Sequence, residues 1–173
     1  MGRLEIATES GLLLIDYTRQ GVASIELPGS SAESHELSDR GYGDSEGKKN
    51  AELAGRLLKN FYEGMPVDFS PITVDLGKRS RFFRNVCAVV RDIKRGEVRS
   101  YKEVAVMAGS PGSARAVGRV MASNPVPLII PCHRVVASDG SLTGYSSEGG
   151  IRTKRLLLEM EGVVLDSRGW VKR

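Results

Sequence analysis

Hydrophobic residues change their spacing along this chain of 173 residues, and that change limits the folds open to it. Residues 4–7, 12–15 and 22–27 are short apolar or alternating runs, punctuated by Gly11 and by Arg19-Gln20-Gly21. Runs of that kind predict three strands in an antiparallel meander. From Lys48 to Tyr62 the apolar positions recur at helical spacing, with Ala54, Leu57, Leu58 and Phe61 on one face and Gly64 as the stop. Residues 66–76 alternate enough to predict one more strand. Ser80 then predicts the cap of a helix running to about Ile93, on which Phe82, Phe83, Val86, Cys87, Val89, Val90 and Ile93 return at helical intervals. Strands first and helices afterwards imply an α+β chain. We expect a small N-terminal domain of antiparallel sheet plus helix over residues 1–76 and a mostly helical C-terminal domain over residues 80–165. Residues 28–47, rich in Ser, Gly, Asp and Glu, read as a mobile loop in which His35 is solvated.

The helical half carries a second pattern. Ser100-Tyr101-Lys102-Glu103 fits a capping box, a Ser cap with Glu three residues on. A short helix follows, Gly109-Ser110-Pro111-Gly112 breaks it, and Ser113 predicts the cap of a helix over residues 114–122. Helix, glycine-containing turn, helix is the helix-turn-helix arrangement, and it makes the C-terminal domain winged-helix-like. The second helix holds Arg115 and Arg119 among the small residues Ala114, Ala116 and Gly118, and it lacks Asn, Gln and Glu. Those side chains argue against base-specific readout in a major groove and for sequence-tolerant docking. An ordinary helical hairpin with solvated arginines fits these helices equally well. A last helix over residues 151–161 is expected to pack Ile151, Leu157, Leu158 and Met160, with Gly162 ending it. Residues 166–173 are a basic tail with one Trp.

Charge is divided between the halves. Residues 1–76 hold 7 Lys/Arg and 13 Asp/Glu, whereas residues 77–173 hold 18 and 8, balances of −6 and +10. A polyanion partner for the C-terminal half follows as an expectation, beside the plainer one of a basic soluble surface. The sequence shows no signal peptide and no apolar run near bilayer length, so no membrane partner is expected. Cys87 and Cys132 are the only cysteines and lie outside any CxxC, which fits a reduced, cytoplasmic setting. With two Cys and two His scattered along the chain, no metal site is expected. Cys87, in phase with a helical core face, is given no chemistry.

Cys132 differs. It stands in Pro131-Cys132-His133-Arg134-Val135-Val136, just after the apolar run Leu128-Ile129-Ile130. Pro131 pushes Ile130 into an extended conformation, so a buried strand-like segment is expected to end stiffly at the cysteine. Only the thiolate of a cysteine reacts, and an adjacent base would supply it. Neighbours in an extended chain point to opposite sides, so His133 can serve Cys132 only if the backbone turns or a water lies between them. A buried structural Cys beside a His bonded to backbone is the alternative.

Upstream stand Gly96-Glu97-Val98-Arg99-Ser100-Tyr101, Arg115-Ala116-Val117-Gly118 and Asn124-Pro125-Val126-Pro127. Downstream stand Gly140, Gly144-Tyr145, Gly149-Gly150, Lys154, Leu156-Leu157 and Glu161-Gly162. Together with the Pro131–Val135 motif this ordered set resembles the O6-alkylguanine-DNA alkyltransferases, most densely from Phe82 to Gly162. One departure stands in the loop after the motif. The family has Tyr-x-Gly-Gly there, and this chain has Tyr145-Ser146-Ser147-Glu148-Gly149-Gly150, two residues longer.

The resemblance implies repair of DNA by direct reversal, a single-use transfer of an alkyl group from O6-alkylguanine to Cys132 without cofactor or metal. O4-alkylthymine is a second candidate substrate. It implies Cys132 as nucleophile, His133 as base, Glu161 orienting His133, and Asn124 holding the backbone turn. It implies a pocket of Met121, Pro127, Val135, Tyr145 and Ser146. It also implies a monomer docked in the minor groove of double-stranded DNA, with little sequence specificity. The contacts would come from Tyr101, Lys102, Ser110, Ser113, Ala114, Arg115, Ala116, Gly118 and Ser138. Tyr101 would help rotate the nucleotide out of the stack, and Arg115 would fill the gap. Some relatives carry zinc in the N-terminal domain, and this chain is not expected to. The competing readings are a lesion-recognition protein without turnover, a Cys-His hydrolase and an ordinary helix-turn-helix regulator.

Overall fold

The computed structural model describes residues 1–8, 11–28, 45–145 and 149–172. The chain divides into two compact units, Met1–Lys78 with Pro125–Ile129, and Arg79–Asn124 with Ile130–Arg173. The loop expected over residues 28–47 falls for its larger part, His35 included, outside the described residues.

In the first unit, β1 (Gly2–Thr8), β2 (Gly11–Tyr17) and β3 (Val22–Glu26) form an antiparallel sheet in that order, as their alternation requires. Leu4 pairs with Ile15, and Ile15 with Ile25. The helix α1 (Glu46–Tyr62) starts two residues before its expected first turn, because the Ser45 side chain accepts from Lys48 N–H. It buries Ala51, Ala54, Gly55, Leu58 and Phe61. A side chain at Gly55 would run into Ile6, so the glycine lets helix and sheet approach closely. The buried Asp16 is held by Arg3 Nε at 2.7 Å and Ser24 Oγ at 2.8 Å.

The strand expected over residues 66–76 does not form. Only an isolated parallel bridge joins Val22 to Val74. The Asn50 side chain takes the backbone of Thr73 instead, donating to its carbonyl at 2.8 Å and accepting from its N–H at 2.9 Å. The Thr73 carbonyl also accepts from Val22 N–H at 3.0 Å, so the side chain shares that carbonyl and takes only the N–H that a longer ladder would use. Pro125–Ile129 joins this unit because Ile25 N–H bonds to Pro125 O at 2.8 Å. The run 128–130 is buried but turns rather than extends, with Leu128 at φ 69°. The restraint of Pro131 acts on Ile130 alone and leaves the residues before it free to turn.

The second unit contains α2 (Arg81–Arg91), β4 (Arg99–Ser100), α3 (Tyr101–Met107), α4 (Ala114–Ala122), β5 (Val135–Val136) and α5 (Ile151–Met160). Ser80 caps α2 through Phe83 N–H, and Cys87 is buried with Phe83, Val86 and Val90. The capping box of Ser100 and Glu103 forms in full. Ser113 takes the cap position of α4 but makes no side-chain cap bond there. β4 and β5 pair in parallel, Arg99 with Val135 and Ser100 with Val136, which sets the start of α3 beside the segment after Cys132.

The inward face of α5 differs from the expected one. Ile151 and Met160 are exposed, and Lys154, Leu157 and Leu158 are buried. Nor does the C-terminal segment hang free. Leu165 bridges Val171, Val171 N–H bonds to Gly140 O at 2.9 Å, and Val171 packs with Val136, Leu158 and Val163. Gly140, at φ 86°, admits that contact, since a Cβ there would meet the Val171 carbonyl. Among the described residues no helix is long and apolar enough to cross a membrane.

Candidate active site

Residues Cys132–Arg134 form a single 3₁₀ turn directly after Pro131. This turn replaces the extended geometry that would have set Cys132 and His133 on opposite sides. The turn is pinned from behind by Asn124, whose Nδ2 donates to Ile130 O at 2.8 Å. Cys132 is 8% exposed. Burial pushes its thiol up, while the Asn124 side chain, the Lys154 ammonium and the backbone N–H groups of Cys132 and His133 all favour the thiolate.

Behind the turn lies a row of three polar side chains, His133 and Glu161 buried and Arg134 partly so. His133 Nε2 stands 3.0 Å from Glu161 Oε1, and both side chains are out of solvent. Burial lowers the imidazole against the pull of Glu161, so His133 is neutral. Arg134 grips the same carboxylate with two bonds, Nε to Oε2 at 2.8 Å and Nη2 to Oε1 at 2.7 Å. Burial alone would push the Glu161 carboxyl up, but the bonds and charges of His133 and Arg134 outweigh it and hold the group at about 2. A neutral imidazole beside an ionised carboxylate donates from Nε2, and Nδ1 is left as a buried acceptor with no partner among the described residues.

Lys154 forms the other wall. It is completely buried, and its Nζ donates to Val135 O at 2.6 Å and Thr143 O at 2.8 Å. Burial lowers it to about 8. Thr143 O also accepts from Tyr101 Oη at 3.0 Å, and the Lys154 ammonium lies 5.8 Å from the centre of the Tyr101 ring. The start of α3, the loop after β5 and the first turns of α5 are thereby tied to one carbonyl.

The structure therefore brings Cys132, His133, Glu161 and Asn124 together. Of the expected pocket residues, Met121 is buried on α4, Val135 is buried in β5 and Tyr145 is half-buried. Pro127 is buried in the segment that belongs to the first unit, and Ser146 lies outside the described residues. Tyr101 and Lys102 open α3, Ser110 lies in the turn before α4, and Ser113 precedes that helix. Along α4, Arg115 is exposed while Ala114, Ala116 and Gly118 are half-buried, and Ser138 is exposed beyond β5.

Two residues of the site had no role in the sequence reading, Arg134 and Lys154. Lys154 was within reach of that reading, because 154, 157, 158 and 161 share one face of a helix. Arg134 was not, because its partner lies 27 residues away. Among the described residues no group of three or more His, Cys, Asp or Glu is arranged to hold a metal.

Residues 81–163 match the family described as 6-O-methylguanine DNA methyltransferase, DNA binding domain. A methylated-DNA–protein-cysteine methyltransferase of Methanothermobacter thermautotrophicus is 44% identical over 111 residues, which are 64% of this chain and 61% of that protein. One from Methanosarcina barkeri is 37% identical over 153 residues, 88% of this chain and 85% of that protein. Among solved structures, Mycobacterium tuberculosis OGT in complex with DNA superposes with a TM-score of 0.73 at 32% identity, covering 93% of this chain and 92% of that one.

Proposed function

The chain belongs to the methylated-DNA–protein-cysteine methyltransferase family, and from that premise we propose that it repairs O6-alkylguanine in double-stranded DNA by moving the alkyl group onto Cys132. The observation that carries this reading is the setting of Cys132: a buried thiol faced by an amide, an ammonium and two backbone N–H groups, with a neutral His133 beside it in the chain.

Each group has a task in that reaction. Nδ1 of His133 takes the thiol proton, directly or through one water, and Glu161 keeps the ring in the tautomer that can do so. The thiolate attacks the sp³ alkyl carbon. The S–C bond forms, the C–O6 bond breaks with its electron pair left on guanine, and His133 returns the proton to the departing base. The thioether product has no leaving group, so each molecule acts once. O4-alkylthymine presents the same alkyl–oxygen bond and is the second candidate substrate.

The reacting carbon lies inside the base stack, so the nucleotide must be flipped out. The helix pair α3–α4 acts as a helix-turn-helix with α4 in the minor groove. Its small residues permit close approach, and exposed Arg115 fills the vacated gap. Tyr101, Lys102, Ser110, Ser113, Ala114, Ala116, Gly118 and Ser138 border the same face, and Met121, Val135 and Tyr145 receive the base. The unit holding α2 to α5 is the DNA-binding and alkyl-acceptor domain, and the sheet-bearing unit supports it. Two free cysteines suit a monomer working in the reducing cytoplasm.

The test is intact mass and peptide mapping after mixing the protein with an equimolar duplex containing one O6-methylguanine. One methyl group on Cys132, and no more than one per protein, is the expected result. Tight lesion binding without mass gain would make this a recognition protein. Neither methyl gain nor lesion preference would return the hydrolase and regulator readings.

A further inference from the structure

Glu161 occupies a poor place for a carboxylate. Its side chain is fully buried, and it is the C-cap of α5, where free carbonyls make a helix end electronegative. Both effects favour the neutral acid. The charged groups around it come from three elements. Arg95, beyond α2, donates to the neighbouring Met160 carbonyl at 2.6 Å. Lys154, on α5 itself, acts on Cys132 and His133. His133 and Arg134, on the 3₁₀ turn, reach the carboxylate directly. Asp92, the C-cap of α2, is exposed.

Arg134 is the cation that fits the carboxylate. Two of its nitrogens make the fork on Glu161, and the third, Nη1, donates to Ile93 O at 2.5 Å. A guanidinium held at all three nitrogens cannot swing away, and it neutralises a buried charge without giving up a proton.

The protonation of Glu161 decides what His133 can do. An ionised Glu161 accepts the proton of Nε2 and leaves Nδ1 bare. A protonated Glu161 would donate to Nε2, which moves the ring proton to Nδ1 and removes the only free acceptor on the imidazole. Resting on the alkyl-transfer reading above, we propose that Arg134 is a positioning residue: it holds Glu161 as a carboxylate and so fixes the His133 tautomer that can accept the Cys132 proton.

The experiment compares wild type, Arg134→Gln and Arg134→Lys by single-turnover methyl transfer from an O6-methylguanine duplex across pH, with ¹⁵N shifts of His133 recorded in parallel. Arg134→Gln is expected to be slower than wild type by about 100-fold near pH 6 and to recover to within about threefold near pH 9, as Glu161 ionises without help. Its ring should carry the proton on Nδ1 at neutral pH, whereas wild type carries it on Nε2. Arg134→Lys keeps the charge and should return most of the wild-type pH profile. A loss that is equal at every pH, or an unchanged His133 tautomer in Arg134→Gln, overturns the proposal. Should Arg134→Gln not fold, the ¹³C shift of the Glu161 carboxyl in wild type decides: titration above about pH 5 overturns the proposal, and ionisation throughout agrees with it. Absence of methyl transfer in wild type itself would instead overturn the alkyl-transfer reading, and the shifts would still report on Arg134.

Discussion

Lys154 carries a charge where no water can reach it, and its pKa of about 8 makes that visible in stability. The sign follows from linkage. A lysine lowered in the folded state is charged in both states below about pH 8, and the folded protein carries the penalty of burying it. Between about 8 and the unfolded value near 10.4 the folded state has lost the proton and the unfolded state has not, so this group's contribution to stability rises with pH. The neutral amine keeps two N–H donors for Val135 O and Thr143 O, so those bonds survive the titration. Urea unfolding of wild type against Lys154→Met over that range should show a stability difference that grows in favour of wild type as pH rises. A difference flat in pH would mean that Lys154 keeps its proton in the folded protein through that range, with its pKa not lowered by burial. Cys132→Ala is expected to abolish methyl transfer while duplex affinity, measured by fluorescence anisotropy, changes by less than about threefold. Loss of both together would contradict a purely nucleophilic role.

Among the elements, α3 and α4 begin alike in sequence and differently in structure. Ser100 closes a full capping box with Glu103, and Ser113 makes no side-chain cap bond. Ser100→Ala should therefore destabilise by about 1 kcal/mol, while Ser113→Ala should stay within about 0.5 kcal/mol. Denaturant midpoints for the two variants check this, and equal losses would contradict it. The element α5 teaches a related lesson. Its buried stripe is Lys154, Leu157, Leu158 and the C-cap Glu161, two charged residues among four. Hydrophobicity alone selects Ile151 and Met160 for that face, and both point to solvent. The charged pair faces inward because each has bonded partners there, which a hydrophobic pattern cannot register.

At the scale of the whole molecule, the excess of positive charge in residues 77–173 and of negative charge in residues 1–76 agrees with the proposal that the C-terminal half is the one that docks DNA. Duplex affinity should fall at least about tenfold between about 50 and 200 mM salt, as expected when several phosphates are neutralised by Lys and Arg. A salt-independent affinity would remove the polyanion from the reading. Arg115→Ala should slow repair in duplex DNA far more than reaction with free O6-benzylguanine, since only the duplex has a gap to fill. Equal losses would take Arg115 out of the flipping step.

The antiparallel order of β1 to β3, the helices α1 and α2, the capping box at Ser100 and the family to which the chain belongs were all legible in the residues themselves. Each depends on spacing within a few positions or on an ordered set of short motifs. Tertiary structure decided the rest. It turned residues 128–130 instead of extending them, gave the Thr73 N–H a side-chain partner in place of a strand partner, and folded the C-terminal segment back onto Gly140. It also brought Arg134 to Glu161 and Lys154 to Val135, contacts across 27 and 19 residues. Local spacing reports which way a side chain points along its own element. Which charge neutralises which, and which carbonyl receives which donor, is settled only when distant segments share a dry interior and every buried polar group must find a partner.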